Sequence, residues 1–83
     1  MKKMIVTGSS GLIGSEVVNY FATNDWMIYG IDNNLRADFF GKSGDTRWNQ
    51  RRLEETYKNF KHNEIDIRNR VEILNFFKLI RPD

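Results

Sequence analysis

Three glycines punctuate the run Thr7-Gly8-Ser9-Ser10-Gly11-Leu12-Ile13-Gly14, and each offers something there that a larger residue could not. Gly8 lets the chain leave a strand in a tight turn. Gly11, with no β-carbon, lets an anion approach the backbone, and Gly14 lets a following helix pack close to a sheet. If that helix opens at Leu12, the N–H groups of Leu12 and Ile13 have no intrahelical acceptor, and the helix dipole adds about half a positive charge at the same end. Such a place suits a phosphate, with Ser10 contributing backbone to a diphosphate.

Glycine turns also join strands to helices that bind nothing, so the surroundings matter. Here an apolar strand precedes the turn, a helix follows it, and Asp32 closes a second apolar run about 20 residues further on, where a ribose-binding acid is expected. A carboxylate there accepts hydrogen bonds from both ribose hydroxyls of NAD. It would face the 2′-phosphate of NADP as a like charge, a repulsion of about 2–4 kcal/mol at the effective dielectric of a protein surface. The expected cofactor is therefore NAD, with Asn33 and Asn34 beside the acid. Two alternatives stay open: Asp32 simply starts the turn Asp32-Asn33-Asn34, or the Arg36 guanidinium pairs with a 2′-phosphate and admits NADP. Asp66 follows a third strand candidate. Its carboxylate either accepts from an adenine amino group, with Ile67 packed on the ring, or helps to cap the next helix.

Other residues that could do chemistry carry blander readings. Tyr57 and Lys61 have the Tyr-x-x-x-Lys spacing that pairs a phenol with an ammonium on one helix, but the segment runs from a helix end into a strand, so the match reads as accidental. His62 is the only histidine and has no evident metal or nucleophile partner, which suggests a surface strand position. Arg47, Arg51, Arg52, Lys58 and Lys61 read as a solvated face rather than a nucleic-acid surface, and Trp26, Trp48, Phe76 and Phe77 as core rather than stacking platforms for bases. No catalytic residue and no metal site is expected.

The elements that position these residues follow from periodicity. Lys3 to Thr7 and Met27 to Ile31 are short apolar runs of the kind found in strands buried on both faces. Between them Leu12, Ile13, Val17, Val18, Phe21 and Ala22 recur at helical spacing. Residues 35–45 have no clean period and read as a loop. Thr46 to Tyr57 reads as a helix with Trp48, Leu53 and Tyr57 on one side, and Lys61 to Ile65 as a weaker strand. A last helix starts near Asn69, whose side chain can cap it with Glu72 three residues on, presenting Val71, Leu74 and Phe77 inward. Pro82 stops it. The expected fold is α/β, a Rossmann-type β-α-β-α-β-α of three parallel strands, half of a doubly wound sheet.

With 83 residues, the chain suffices for one small domain that buries about 60–65% of its unfolded surface. The 40% hydrophobic and 29% charged residues argue against disorder, and the absence of cysteine removes disulfides and thiolate chemistry. No stretch approaches the ~20 apolar residues of a membrane span. A cytoplasmic protein with neither membrane nor nucleic-acid partners is expected.

The motif TGSSGLIGSE, the stop GIDNN after the second strand and DIRN after the third together resemble the extended short-chain dehydrogenase/reductases, in particular the NAD-dependent epimerase/dehydratase family, over nearly the whole chain. The stretch from Asn33 to Gly41, with Thr46-Arg47-Trp48-Asn49 and Arg52-Leu53-Glu54-Glu55, looks most like the CDP-paratose (CDP-tyvelose) 2-epimerase branch. The resemblance implies tightly held NAD, transient hydride transfer from a sugar carbon, and cofactor contacts from Gly8, Gly11, Leu12, Ile13, Asp32, Asn33 and Asp66. It places the catalytic Ser/Thr, Tyr and Lys and the nucleotide-sugar pocket beyond the segment seen here. The chain then reads as residues 1–83 of an incomplete NAD-binding domain, inactive alone. The alternatives are a non-enzymatic remnant that pairs its sheet edge with another chain, including a copy of itself, or part of a related dehydratase or reductase.

Overall fold

A computed structural model describes residues 2–32 and 47–83. Three strands, β1 (Lys3–Thr7), β2 (Met27–Ile31) and β3 (Phe60–Asn63), alternate with three helices, α1 (Leu12–Thr23), α2 (Arg47–Thr56) and α3 (Arg70–Ile80). The strands form one parallel sheet in the order β1-β2-β3, with Val6 beside Gly30 and Gly30 beside His62. This is the expected half of a doubly wound sheet.

Strands that progress in one direction through right-handed crossovers put their connecting helices on one face. Accordingly α1 and α2 share a face, over a core of Val6, Val18, Ala22, Ile28, Leu53 and Phe60. The helix α3 takes the opposite face, where Phe76 meets Tyr29 edge to face at 6.3 Å. Because strands parallel and in register end together, the segments after β1, β2 and β3 all emerge at one edge of the sheet. Ligands of open α/β sheets bind at that carboxyl edge. Along its other side β1 has no strand partner among the described residues, although Asp83 N–H donates to the Lys3 carbonyl at 2.9 Å and Lys3 N–H to the Asp83 carboxylate at 2.8 Å.

Five expectations are corrected by the structure. In α2 the buried residues are Asn49 and Leu53, whereas Trp48 is 67% exposed. Positions four apart lie nearly above one another on a helix while positions five apart do not, so Asn49, not Trp48, shares a face with Leu53. In α3 the half-buried residues are Ile73, Phe76 and Ile80, and Val71, Leu74 and Phe77 are exposed. The polar residues Glu72, Asn75 and Lys78, spaced by three, mark the side away from Ile73, Phe76 and Ile80, and Val71 falls among them. Leu12 and Ile13, grouped with the inward residues of α1, are 74% and 79% exposed at the helix opening. The His62 side chain is only 7% exposed and is not a surface residue. The third strand begins at Phe60, one residue earlier than expected, and ends at Asn63.

The Asn69 cap is present: its side-chain oxygen accepts from Glu72 N–H at 3.2 Å. Asp66 is therefore not the cap, and its main-chain carbonyl instead accepts from Asn69 N–H at 2.8 Å.

Candidate functional site

The glycine turn is built by a short set of backbone bonds. Gly8 has φ 66°, the left-handed region that favours glycine, and its N–H donates to the Ile31 carbonyl at 2.8 Å, fastening the turn to the end of β2. Gly11 N–H returns to the Gly8 carbonyl at 3.0 Å, and the ladder of α1 opens with Ser15 N–H to the Gly11 carbonyl at 2.9 Å. Gly11 is itself the N-cap residue and, lacking a side chain, makes no cap hydrogen bond. The amides of Leu12 and Ile13 thus open the helix without the side-chain acceptor that Ser, Asp or Asn would normally bring.

Close approach explains two further glycines. A β-carbon at Gly14 would fall 2.0 Å from the Gly8 carbonyl oxygen, so this residue lets α1 lie directly on the turn itself. A β-carbon at Gly30 would fall 2.4 Å from Ser9 Oγ and 2.8 Å from Phe60, so the bare centre of β2 is the seat for the turn's first serine. Ser9 and Ser10 are 0% and 2% exposed, and neither hydroxyl has a hydrogen-bond partner among the described residues.

Ser10 is held from both sides. Its N–H donates to the Asp32 carboxylate at 3.0 Å, and its carbonyl accepts from Asn49 Nδ2 at 2.9 Å. That amide brings the Asp32 carboxylate to the mouth of the turn, beside the uncapped helix. The turn and the outer side of β1 border a groove of about 650 Å³, lined at its upper end by Gly8, Gly11, Leu12 and Ile13.

Of the residues expected in a site, the structure thus joins Gly8, Ser10, Gly11, Leu12, Ile13, Gly14 and Asp32. Asn33, Asn34 and Arg36 lie outside the described residues. Asp66 and Ile67 follow β3 at the same sheet edge but are organised locally. The Asp66 carboxylate accepts from Arg68 N–H at 2.9 Å and from the Arg68 guanidinium at 2.7 Å, and these bonds hold its pKa down to about 2. Ile67 is exposed.

His62 hydrogen-bonds Glu64 through Nε2 at 2.9 Å, while Nδ1 is buried with no partner among the described residues. Burial lowers its pKa, opposed by the charge of Glu54 and assisted by that of Arg47. A neutral ring with the proton on Nε2 follows, which donates to Glu64 and leaves Nδ1 as a lone pair. Glu64 is also forked by Arg47. Tyr57, the first member of the Tyr-x-x-x-Lys match, lies past the end of α2 and donates its hydroxyl to Asn19 at 2.6 Å, while Lys61 is on β3, so the two share no helix. Among the described residues no group of three or more His, Cys, Asp or Glu side chains could hold a metal ion, and no helix is long and apolar enough to cross a membrane.

A family model described as the NAD dependent epimerase/dehydratase family matches residues 4–83. The chain belongs to that family. Among curated proteins no match is found. Membership in the epimerase/dehydratase family brings NAD(P) use with it, and the residues present fit such a group: a helix start whose N-cap is a glycine, of the kind that suits an anion, and a carboxylate fixed beside it by the Ser10 amide.

Periodicity and motif spacing overlooked Asn49, Gly30 and Ser9. Gly30 carried a usable signal, since a glycine inside an apolar strand marks a place where something approaches closely. Asn49 could have been found by asking which residue lies four before Leu53.

Proposed function

We propose that this epimerase/dehydratase chain binds NAD and forms the cofactor-gripping part of a nucleotide-sugar epimerase. The observation that carries the proposal is the Ser10 N–H bond to Asp32, which sets a carboxylate beside a helix opening whose N-cap residue, Gly11, brings no side-chain acceptor.

In this reading the amides of Leu12 and Ile13 bind the diphosphate, and Gly11 leaves space for its approach. Gly8 and Gly14 shape the turn. Asp32 accepts from the hydroxyls of the adenosine ribose, with Asn33 and Asn34 next to it. The carboxylate favours NAD over NADP by charge, with Arg36 the residue that would oppose that preference. Asp66 receives the adenine amino group and Ile67 packs on the ring; the Arg68 fork keeps Asp66 ionised as an acceptor. When bound, NAD supplies reversible hydride exchange with a sugar carbon, the chemistry needed to invert a stereocentre without net oxidation. The substrate reading, a CDP-linked sugar of the paratose type, rests on the resemblance of residues 33–41 and of the α2 sequence. Among the described residues no acid-base pair stands ready for the sugar, and in this reading the 83-residue chain turns nothing over by itself.

Calorimetric titration tests the proposal. The 83-residue chain should bind NAD more tightly than NADP, and Asp32→Ala should weaken NAD by roughly ten- to a hundredfold, the worth of a charge-assisted hydrogen bond or two. It should also narrow the gap to NADP. The same protein given CDP-paratose and NAD should yield no epimer. An NAD affinity untouched by Asp32→Ala ends the assignment.

A further inference from the structure

The glycine turn is connected to a residue that belongs to no part of the motif. Asn49 sits in the first turns of α2, is 5% exposed, and reaches across 39 positions of sequence to the Ser10 carbonyl. Its amide orientation is set by chemistry on both sides. The Ser10 carbonyl can only accept, so it requires Nδ2; Arg52 Nε can only donate, and it lies 2.9 Å from Asn49 Oδ1. Flipping the amide would place two donors against each other and two acceptors against each other. Asn49 and Arg52 are three apart on one helix, hence neighbours on its surface.

The Ser10 carbonyl and the Gly11 N–H belong to one planar peptide unit, so holding the first orients the second. Gly11 N–H is the bond that closes the turn onto Gly8, and Gly11 is the residue from which α1 departs. We infer that Asn49, oriented by Arg52, is a positioning residue for the diphosphate-binding turn. It holds the Ser10–Gly11 peptide so that the amides of Leu12 and Ile13 face the ligand before the ligand arrives. Together with Asp32 on the Ser10 N–H, it clamps both peptide groups of Ser10. The helix α2 thereby becomes part of the cofactor site without touching the cofactor. Its seating is independent of the turn, through Leu53 in the core and the Tyr57 hydroxyl on Asn19 of α1.

This inference rests on the NAD reading above, and the test separates the two. NAD and adenosine are each titrated into the 83-residue chain while the backbone amide resonances of Gly11, Leu12 and Ile13 are followed, with thermal melting measured without ligand. For Asn49→Ala the expected result is a rise in the NAD Kd of roughly three- to tenfold, the value of one hydrogen bond, with adenosine affinity unchanged because adenosine lacks the diphosphate. Faster hydrogen exchange at Gly11 should accompany it. Arg52→Met changes only an exposed side chain. It should weaken NAD in the same direction by about twofold with an unaltered melting temperature, and it serves as the test if Asn49→Ala fails to fold. If the unaltered protein shows no NAD-dependent shift at Leu12 or Ile13, the cofactor reading falls and this inference with it. If NAD binds normally and both variants bind it equally well, or if adenosine weakens in step with NAD, the role of Asn49 is overturned while the cofactor reading stands.

Discussion

A methyl group added at Gly14 would lie 2.0 Å from the Gly8 carbonyl oxygen and 3.0 Å from the Ser9 α-carbon, both backbone atoms that cannot swing aside. At Gly30 the obstacles are the Ser9 side chain and the Phe60 ring, which can give way in part, and at Gly8 there is open space but a φ of 66°. These three constraints predict an order. Gly14→Ala should cost about 3 kcal/mol, as overpacking against an unyielding neighbour, Gly30→Ala about 2, and Gly8→Ala about 1 from backbone strain alone. Urea unfolding of the three variants measures it, and a Gly14→Ala protein as stable as its parent would remove the close contact between α1 and the turn. The motif was legible residue by residue because a turn, a close approach and an uncapped helix each demand a particular side chain at a particular spacing. Ser10 shows the limit: its type and position were noted, but its two partners, Asp32 and Asn49, come from separate elements that no local pattern connects.

At the scale of elements, α1 and α3 present opposite kinds of evidence. The alternation of polar and apolar residues in α1 marks Val18 and Ala22 as inward, and both are buried. In α3 it is the polar residues Glu72, Asn75 and Lys78, three apart, that mark the outward side and leave Ile73, Phe76 and Ile80 inward, which the apolar spacing of Val71, Leu74 and Phe77 passes over. Phe76→Ala, which loses the ring contact with Tyr29, should therefore destabilise more than Phe77→Ala, by about 1 kcal/mol. Asn69→Ala should also cost about 1 kcal/mol by uncapping the helix. Thermal melting of the three single variants decides both; equal effects of the two phenylalanine changes would mean that the packed stripe is wrongly identified. In α2 the inward asparagine went unseen because hydropathy ranks Trp48 above Asn49 and takes no account of a hydrogen bond waiting on the other side.

For the whole molecule, two titrating groups tie stability to pH in separate windows. The His62 pKa lies below its ordinary 6.5 in the folded chain because of burial, so the unfolded chain takes up a proton first as pH falls. Stability is full above 6.5 and declines beneath it until the folded pKa is passed. The Asp66 pKa falls from 3.8 to about 2 through the bonds from Arg68, so its contribution is present above 3.8 and is lost as pH drops towards 2. Denaturant midpoints measured from pH 8 to 2 should show two declines. His62→Phe should abolish the upper one and Arg68→Met the lower, and a midpoint flat between pH 7 and 5 in the unaltered protein would contradict a buried neutral histidine.

The amino-acid order alone determined the alternation of strand and helix, the parallel sheet and the glycine turn, because these follow from local periodicity and from the few residues that allow such a turn. It also carried the family resemblance, which the match over residues 4–83 supports. Tertiary structure alone decided that His62 is enclosed and that Asn49 and Asp32 grip one serine from opposite sides. Those outcomes depend on the packing of elements distant in the chain, where burial and hydrogen-bond pairing are properties of the neighbours and not of the residue itself.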